Sequence, residues 1–117
     1  MSDEIKHECG LASIRLRKPL AYYQKKYGTA MYGLNKLYLL MEKQHNRGQD
    51  GAGIAVVKLN VEPGYPFLHR LRSNNPQPIA DIFFKIGKEV EELEKYQPDI
   101  RQHPGLMKGH LPFFGEL

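Results

Sequence analysis

The chain has 117 residues, of which 41% are hydrophobic and 26% charged, with a formal net charge of +4 and a single cysteine. That length supports one core, burying roughly two-thirds of the unfolded surface. It holds no apolar run near the ~20 residues a membrane span needs, no apolar centre of a secretory signal in "MSDEIKHE", and no second cysteine for an intramolecular disulfide, so a cytoplasmic location is expected. The basic residues are dispersed in "RLRK", "KK", "HRLR" and "KIGK" and read as solvated faces, so no nucleic-acid partner and no membrane partner is expected.

From Cys9 to Leu16, "CGLASIRL" sets Ala12, Ile14 and Leu16 against Leu11, Ser13 and Arg15, the period of a short strand with one buried face. "RKPLAYYQKKYG" follows, with Pro19 and Gly28 as breakers, and reads as a connection or a frayed helical turn. Met31, Leu34, Leu37, Tyr38 and Met41 share one face of a helix from Thr29 to about Gln44, with Thr29 as N-cap.

After a glycine-rich turn, "AGIAVVKLNV" has the continuous apolar character of a strand buried on both faces. "YPFLHRLRS" alternates as its partner strand. The loop "SNNPQP" leads to a second helix whose apolar face is Ile79, Ile82, Phe83, Ile86, Val90 and Leu93, ended by Pro98. The tail "HPGLMKGHLPFFGEL" has no regular period and leaves Phe113 and Phe114 exposed or awaiting a partner. Two or three strands and two helices make a thin α/β (α+β) sheet with helices against it, and the domain is expected to continue beyond Leu117.

Two stretches carry chemistry. Cys9 on its own is either a small buried hydrophobe or a nucleophile placed at the head of a strand. Removal of Met1–Glu8 as a propeptide would give Cys9 a free α-amine. An α-amine has a pKa near about 8, so it could take the proton of the residue's own thiol. The turn "NRGQDGAGI" is open in the same way. Gly48 can cap the preceding helix and Asp50-Gly51 can make a tight turn. Alternatively, Gly48 and Gly51 let backbone approach a ligand while Arg47 supplies directed donors.

Taken together, "CGLASI" at the head of a strand, a helix, and then "QHNRGQDGAGIA" resemble the start of class II (N-terminal nucleophile) glutamine amidotransferases. The Gln49-Asp50 form of the motif resembles the glutaminase part of amidophosphoribosyltransferases. The resemblance covers residues 9 to 57 best. It implies a partial αββα four-layer sandwich of the N-terminal nucleophile hydrolase type over residues 9–117, behind a propeptide at 1–8. Cys9 would attack the glutamine side-chain amide, with Arg47 and Gly48 beside it supporting the catalytic terminus, and Gln49, Asp50 and Gly51 as structural motif residues.

The partners implied are glutamine, a C-terminal synthase domain and further copies in a homo-oligomer. No cofactor belongs to this segment, and magnesium would belong to a phosphoribosyltransferase domain outside it. The 117 residues depart from the family pattern in four places. Asn46 separates His45 from Arg47, the linker "RLRKPLAYYQKKYGTA" is longer than typical, "GHLP" at 109–112 has Pro112 where the substrate-binding motif has arginine, and no Asn-Gly pair is available for an oxyanion hole. The segment alone is therefore expected to be inactive. Three other readings are weaker: a non-catalytic amidotransferase-like module, a metal site from His7, Cys9 and His103 or His110, and a basic strand "PFLHRLR" on nucleic acid.

Overall fold

The computed structural model describes residues 10–43 and 51–117. The chain is mixed α+β, with four α-helices, a 3-10 turn and a two-stranded antiparallel sheet among these residues.

Strands β1 (Ala52–Val57) and β2 (Leu68–Ser73) pair from Ala52 opposite Ser73 to Val57 opposite Leu68. β1 alternates rather than being buried on both faces. Ile54 and Val56 are buried, while Gly53 and Ala55 are exposed. The reason is coverage: helix α3 packs on one face of both strands, and the small Gly53 and Ala55 make the other face. β2 alternates as expected, with His69, Leu71 and Ser73 turned inward relative to Leu68, Arg70 and Arg72.

Helix α3 (Pro78–Glu94) is the central element. Pro78 occupies its first turn, where a missing N–H costs nothing. Ile79, Ile82, Ile86 and Val90 form its buried stripe, and Ile82 has no exposed surface. Each such side chain contributes about 1.5–3 kcal/mol by leaving water. The helix ends at Glu94, with Tyr96 and Gln97 N–H donating back to the Leu93 carbonyl, so the stop precedes Pro98.

Helix α2 (Tyr32–Lys43) buries Leu34 and packs on α3, through Tyr38 edge-on to Phe83 among other contacts. The helix begins later than expected, at Tyr32, with the Met31 carbonyl accepting its first bond from the Asn35 N–H, so Thr29 is not its N-cap. Thr29 Oγ1 accepts the Met31 N–H at 3.0 Å in the turn before it.

Residues 20–27 are not a frayed connection but an eight-residue helix, α1 (Leu20–Tyr27). Pro19 precedes its first turn and Gly28 closes it in the left-handed region at φ 85°, donating to the Gln24 carbonyl at 2.8 Å. The two residues read as breakers are its caps. Tyr23, Tyr27 and Tyr32 stack to join α1 to α2, the closest pair at a 4.1 Å centroid distance.

The tail is also ordered. A 3-10 turn (Ile100–Gln102) leads into α4 (Pro104–His110), and α4 packs against α1. Ile100 and Met107 are buried, as are Phe113 and Phe114, the latter 2% exposed. The two phenylalanines have their partner within the chain. They complete the same core as Ile82, Ile86 and Val90.

The expected strand at 9–16 is corrected as well: residues 10–16 form no strand. Its inward period holds, since Leu16 is buried and Ala12 and Ile14 half-buried against exposed Leu11, Ser13 and Arg15. The segment reaches the end of the chain through Leu16 N–H, which donates to the Glu116 carbonyl at 2.7 Å.

Candidate functional site

Of the residues singled out from the sequence, Cys9, Arg47, Gly48, Gln49 and Asp50 lie outside the described residues, and Gly51 lies within them. Arg47 to Gly51 belong to the connection from α2, which ends at Lys43, to β1, which begins at Ala52. Gly51 stands against the end of β2. A Cβ on it would meet the Ser73 carbonyl oxygen at 3.0 Å and Asn74 Cα at 3.8 Å. The close approach that requires a glycine there is to backbone of the neighbouring strand. Ser73 is held in turn by its hydroxyl, which donates to Asp81 Oδ2 at 2.6 Å in the first turn of α3.

Leu16 N–H donates to the Glu116 carbonyl, next to Leu117, which pairs with Val57. Ala12 to Ile14 and Leu16 line a cleft of about 140 Å³ together with Ala55, Val56 and Val57 of β1, with Leu34 and Leu37 of α2 on its apolar side.

The far end of this cleft is closed by groups from distant parts of the chain. Leu117 and Val57 exchange both backbone hydrogen bonds, Leu117 N–H reaching the Val57 carbonyl at 3.1 Å. Glu116 is buried and accepts twice, from the Leu59 N–H at 2.8 Å and from Lys108 Nζ at 2.7 Å. Lys108 Nζ also donates to the Leu59 carbonyl at 2.5 Å, and Lys58 Nζ donates to the Lys108 carbonyl.

Burial holds the Lys58 ammonium pKa below the usual lysine range. The Lys108 charge adds to that, and Glu116 opposes it. His69, edge-to-face with Phe113 at a 6.2 Å centroid distance, is pushed below the ordinary histidine value by burial and by the Lys58 charge. This cluster is a latch: its carboxylate and ammonium groups bond to one another and to the backbone.

Sequence reasoning singled out none of Lys58, Ser73, Lys108 and Glu116. The bonds described above join them to partners 8 to 57 positions away in sequence, as in Ser73 with Asp81 and Glu116 with Leu59, so no local pattern marks them.

No family model, curated protein or solved structure matches this chain.

Gly109 and His110 end α4, and Pro112 is half-buried just beyond it. His103, one of the histidines considered for a metal, has its ring Nε2 3.0 Å from Asp99 Oδ2. Among the described residues no group of three His, Cys, Asp or Glu side chains is placed to hold a metal ion, and no helix is long and apolar enough to cross a membrane.

Proposed function

We propose that this chain carries the nucleophile-bearing part of a class II glutamine amidotransferase domain, most like the glutaminase end of an amidophosphoribosyltransferase. The observation that supports it is the spacing in the sequence of Cys9-Gly10 and Arg47-Gly48-Gln49-Asp50-Gly51-Ala52-Gly53-Ile54, the latter leading into β1. The sheet and its covering helices would be one β-layer and one α-layer of an αββα sandwich. The lone cysteine suits a cytoplasmic enzyme.

In this reading Met1–Glu8 is removed, and the freed α-amine of Cys9 takes the thiol proton. The thiolate attacks the glutamine amide carbon, forming the C–S bond, and the C–N bond then breaks as the α-ammonium returns a proton to the departing ammonia. Water next adds to the γ-glutamyl thioester and breaks the C–S bond, releasing glutamate and regenerating the thiol. A thiol of ordinary pKa is only a few per cent ionised at neutral pH, which is why a base on the same residue matters.

Arg47 and Gly48 support that terminus, and Gln49, Asp50 and Gly51 shape the turn. The ammonia would pass to a phosphoribosyl acceptor in purine synthesis, on a synthase domain with its own magnesium. The substrate-carboxylate arginine and the oxyanion donors are not supplied by these 117 residues, so turnover needs groups from outside them. Loss of a single oxyanion donor costs ~10²-fold or more in rate.

The test is the intact mass of the protein produced from its complete gene, followed by glutamine-dependent glutamate release by that protein and by its Cys9→Ala variant. A mature N-terminus at Cys9, with hydrolysis abolished in the variant, is the expected result. A chain still beginning at Met1 or Ser2, or hydrolysis unaffected by Cys9→Ala, would overturn the reading and leave a non-catalytic module of the same fold.

A further inference from the structure

Cations that stand apart in the sequence are brought together by the fold. Between Glu8 and Glu42 the chain has six basic residues, Arg15, Arg17, Lys18, Lys25, Lys26 and Lys36, and no acidic one. That stretch alone carries more positive charge than the net +4 of the whole chain. All six residues are exposed. The ion pairs among the described residues lie between residues 81 and 116, so none of the six is paired with a described carboxylate.

Three of the six converge on the tyrosines that join α1 to α2. Lys18, just ahead of α1, and Lys26, in its last turn, each hold Nζ 5.7 Å from the centroid of the Tyr22 ring. Lys26 Nζ also lies 5.5 Å over Tyr27, and Lys36 Nζ of α2 lies 5.8 Å over Tyr32. Tyr27 and Tyr32 are stacked, and Tyr22 stands edge-on to Tyr23. Four rings are thus edged by three ammonium groups. Tyr22 and Tyr27 remain 40% and 47% exposed. An exposed cation–ring contact is worth only about 0.5–1 kcal/mol, so a phosphate can take the ammonium groups over.

Unpaired positive charge beside exposed rings suits a ligand that offers phosphates and flat faces together. We propose that the α1–α2 face binds single-stranded nucleic acid, with the lysines neutralising phosphates and Tyr22 and Tyr27 stacking on unpaired bases. Stacking of a base on an aromatic side chain is worth about 1–3 kcal/mol. It needs a base whose face is not already covered, so a duplex offers the charge without the stacking.

An anionic membrane fits this face less well. A helix lying in a bilayer surface buries an apolar face there, whereas α1 buries its Leu20 in the protein and exposes Tyr22, Lys25, Lys26 and Tyr27. The expectation of no nucleic-acid partner rested on the dispersal of the basic residues in the sequence, and the packing of α1 on α2 removes that dispersal. The inference rests on residues 15–36 and is independent of the amidotransferase reading.

The test is fluorescence anisotropy of labelled uridine and deoxyuridine dodecamers titrated with the whole chain at salt from about 50 to 200 mM. An adenosine–uridine duplex of the same length is titrated alongside, and co-sedimentation with phosphatidylserine–phosphatidylcholine vesicles is measured. Saturable binding of the single strands, about fivefold or more tighter than of the duplex, is expected. Log K should fall with log salt by about 0.7 for each phosphate contact. Tighter binding of the uridine strand assigns the partner as RNA, and equal binding as a single strand of either sugar.

Lys18→Gln/Lys26→Gln should weaken binding and make the salt slope shallower by about 0.7 for each lysine. Tyr22→Leu should weaken binding about fivefold or more and leave the slope unchanged. Lys95→Gln, at an exposed pair with Glu92, should change neither. Helical circular dichroism equal to the parent's qualifies each variant. No saturable binding of the single strands at the lowest salt would overturn the proposal. So would duplex binding of equal strength, strand binding that both patch variants leave untouched, or binding to vesicles alone.

Discussion

Ser73 donates its hydroxyl to Asp81 Oδ2 at 2.6 Å, tying the last residue of β2 to the first turn of α3. The same Asp81 oxygen receives Lys85 Nζ at 3.1 Å, and the Ser73 carbonyl is the surface against which Gly51 packs. One hydroxyl thus sets the position of the central helix and of the strand end beside the glycine turn.

These bonds hold the Asp81 carboxyl below the ordinary aspartate value, the Ser73 hydrogen bond being the largest cause and Lys85 the next. A depressed carboxyl stabilises the fold fully above its unfolded pKa, about 3.9. That contribution is lost as pH falls through the folded value. Asp81→Asn should therefore lower the urea midpoint at pH 7, and its difference from the parent should close as the pH is taken below about 3.9. A midpoint difference that stays constant across that range would exclude the carboxylate as the stabilising group.

Ile82 and Phe84 are two positions apart on α3 but on opposite sides of the stripe, 0% and 64% exposed. Ile82→Ala should cost about 2–5 kcal/mol through lost burial and the cavity left behind. Phe84→Ala should stay within about 0.5 kcal/mol. Denaturant unfolding of the two variants checks the assignment of the inward face.

Two glycines should respond to alanine with opposite signs. Gly28 closes α1 at φ 85° with open space around it, so Gly28→Ala meets backbone strain alone and should destabilise by about 1 kcal/mol. Gly87 lies inside α3 with nothing within 4 Å of an added Cβ, and Gly87→Ala should stabilise by about 0.5–1 kcal/mol. Thermal melts of the two variants are sufficient to read both signs.

The latch between the chain end and the β1–β2 connection is the third mechanical element. Glu116→Ala removes the acceptor of both Lys108 Nζ and the Leu59 N–H, and should cost about 1–3 kcal/mol. Faster amide exchange at Leu117 and Leu16, with α3 unaffected, would show that the loss is local to the latch. Gly115→Ala should loosen the same segment, because its Cβ would fall 2.7 Å from the Val57 carbonyl oxygen.

Much of this was legible in the residues because a helix or strand buries one face at a fixed period. The stripe from Ile79 to Leu93 and the alternation of "PFLHRLRS" identify α3 and β2, since each pattern is local and each side faces either water or core. Gly51 in the motif turn could be marked as a close-approach position, although the group it approaches, Ser73, belongs to a strand more than 20 positions away.

Other elements were not legible, for reasons visible in particular residues. Pro19 and Gly28 bound α1 rather than break it, and composition cannot tell a cap from a breaker without knowing where the helix lies. Gly105 and Gly109 disguise α4, whose buried contribution is the single side chain Met107. Phe113 and Phe114 follow no period because they enter the core from a turn.

By itself, the sequence determined the two amphipathic helices, the hairpin strands and the spacing between Cys9-Gly10 and the Arg47–Gly51 turn that supports the proposed glutaminase chemistry. Only the tertiary structure decided which face of β1 is covered, that Leu16 bonds to Glu116 near the end of the chain, and that Glu116 is seated by Lys108 and Leu59. The physical reason is range. Periodic burial and capping are written within a few residues of each position, whereas a strand's neighbour and a buried charge's partner are fixed by which distant segments arrive together once the core has closed.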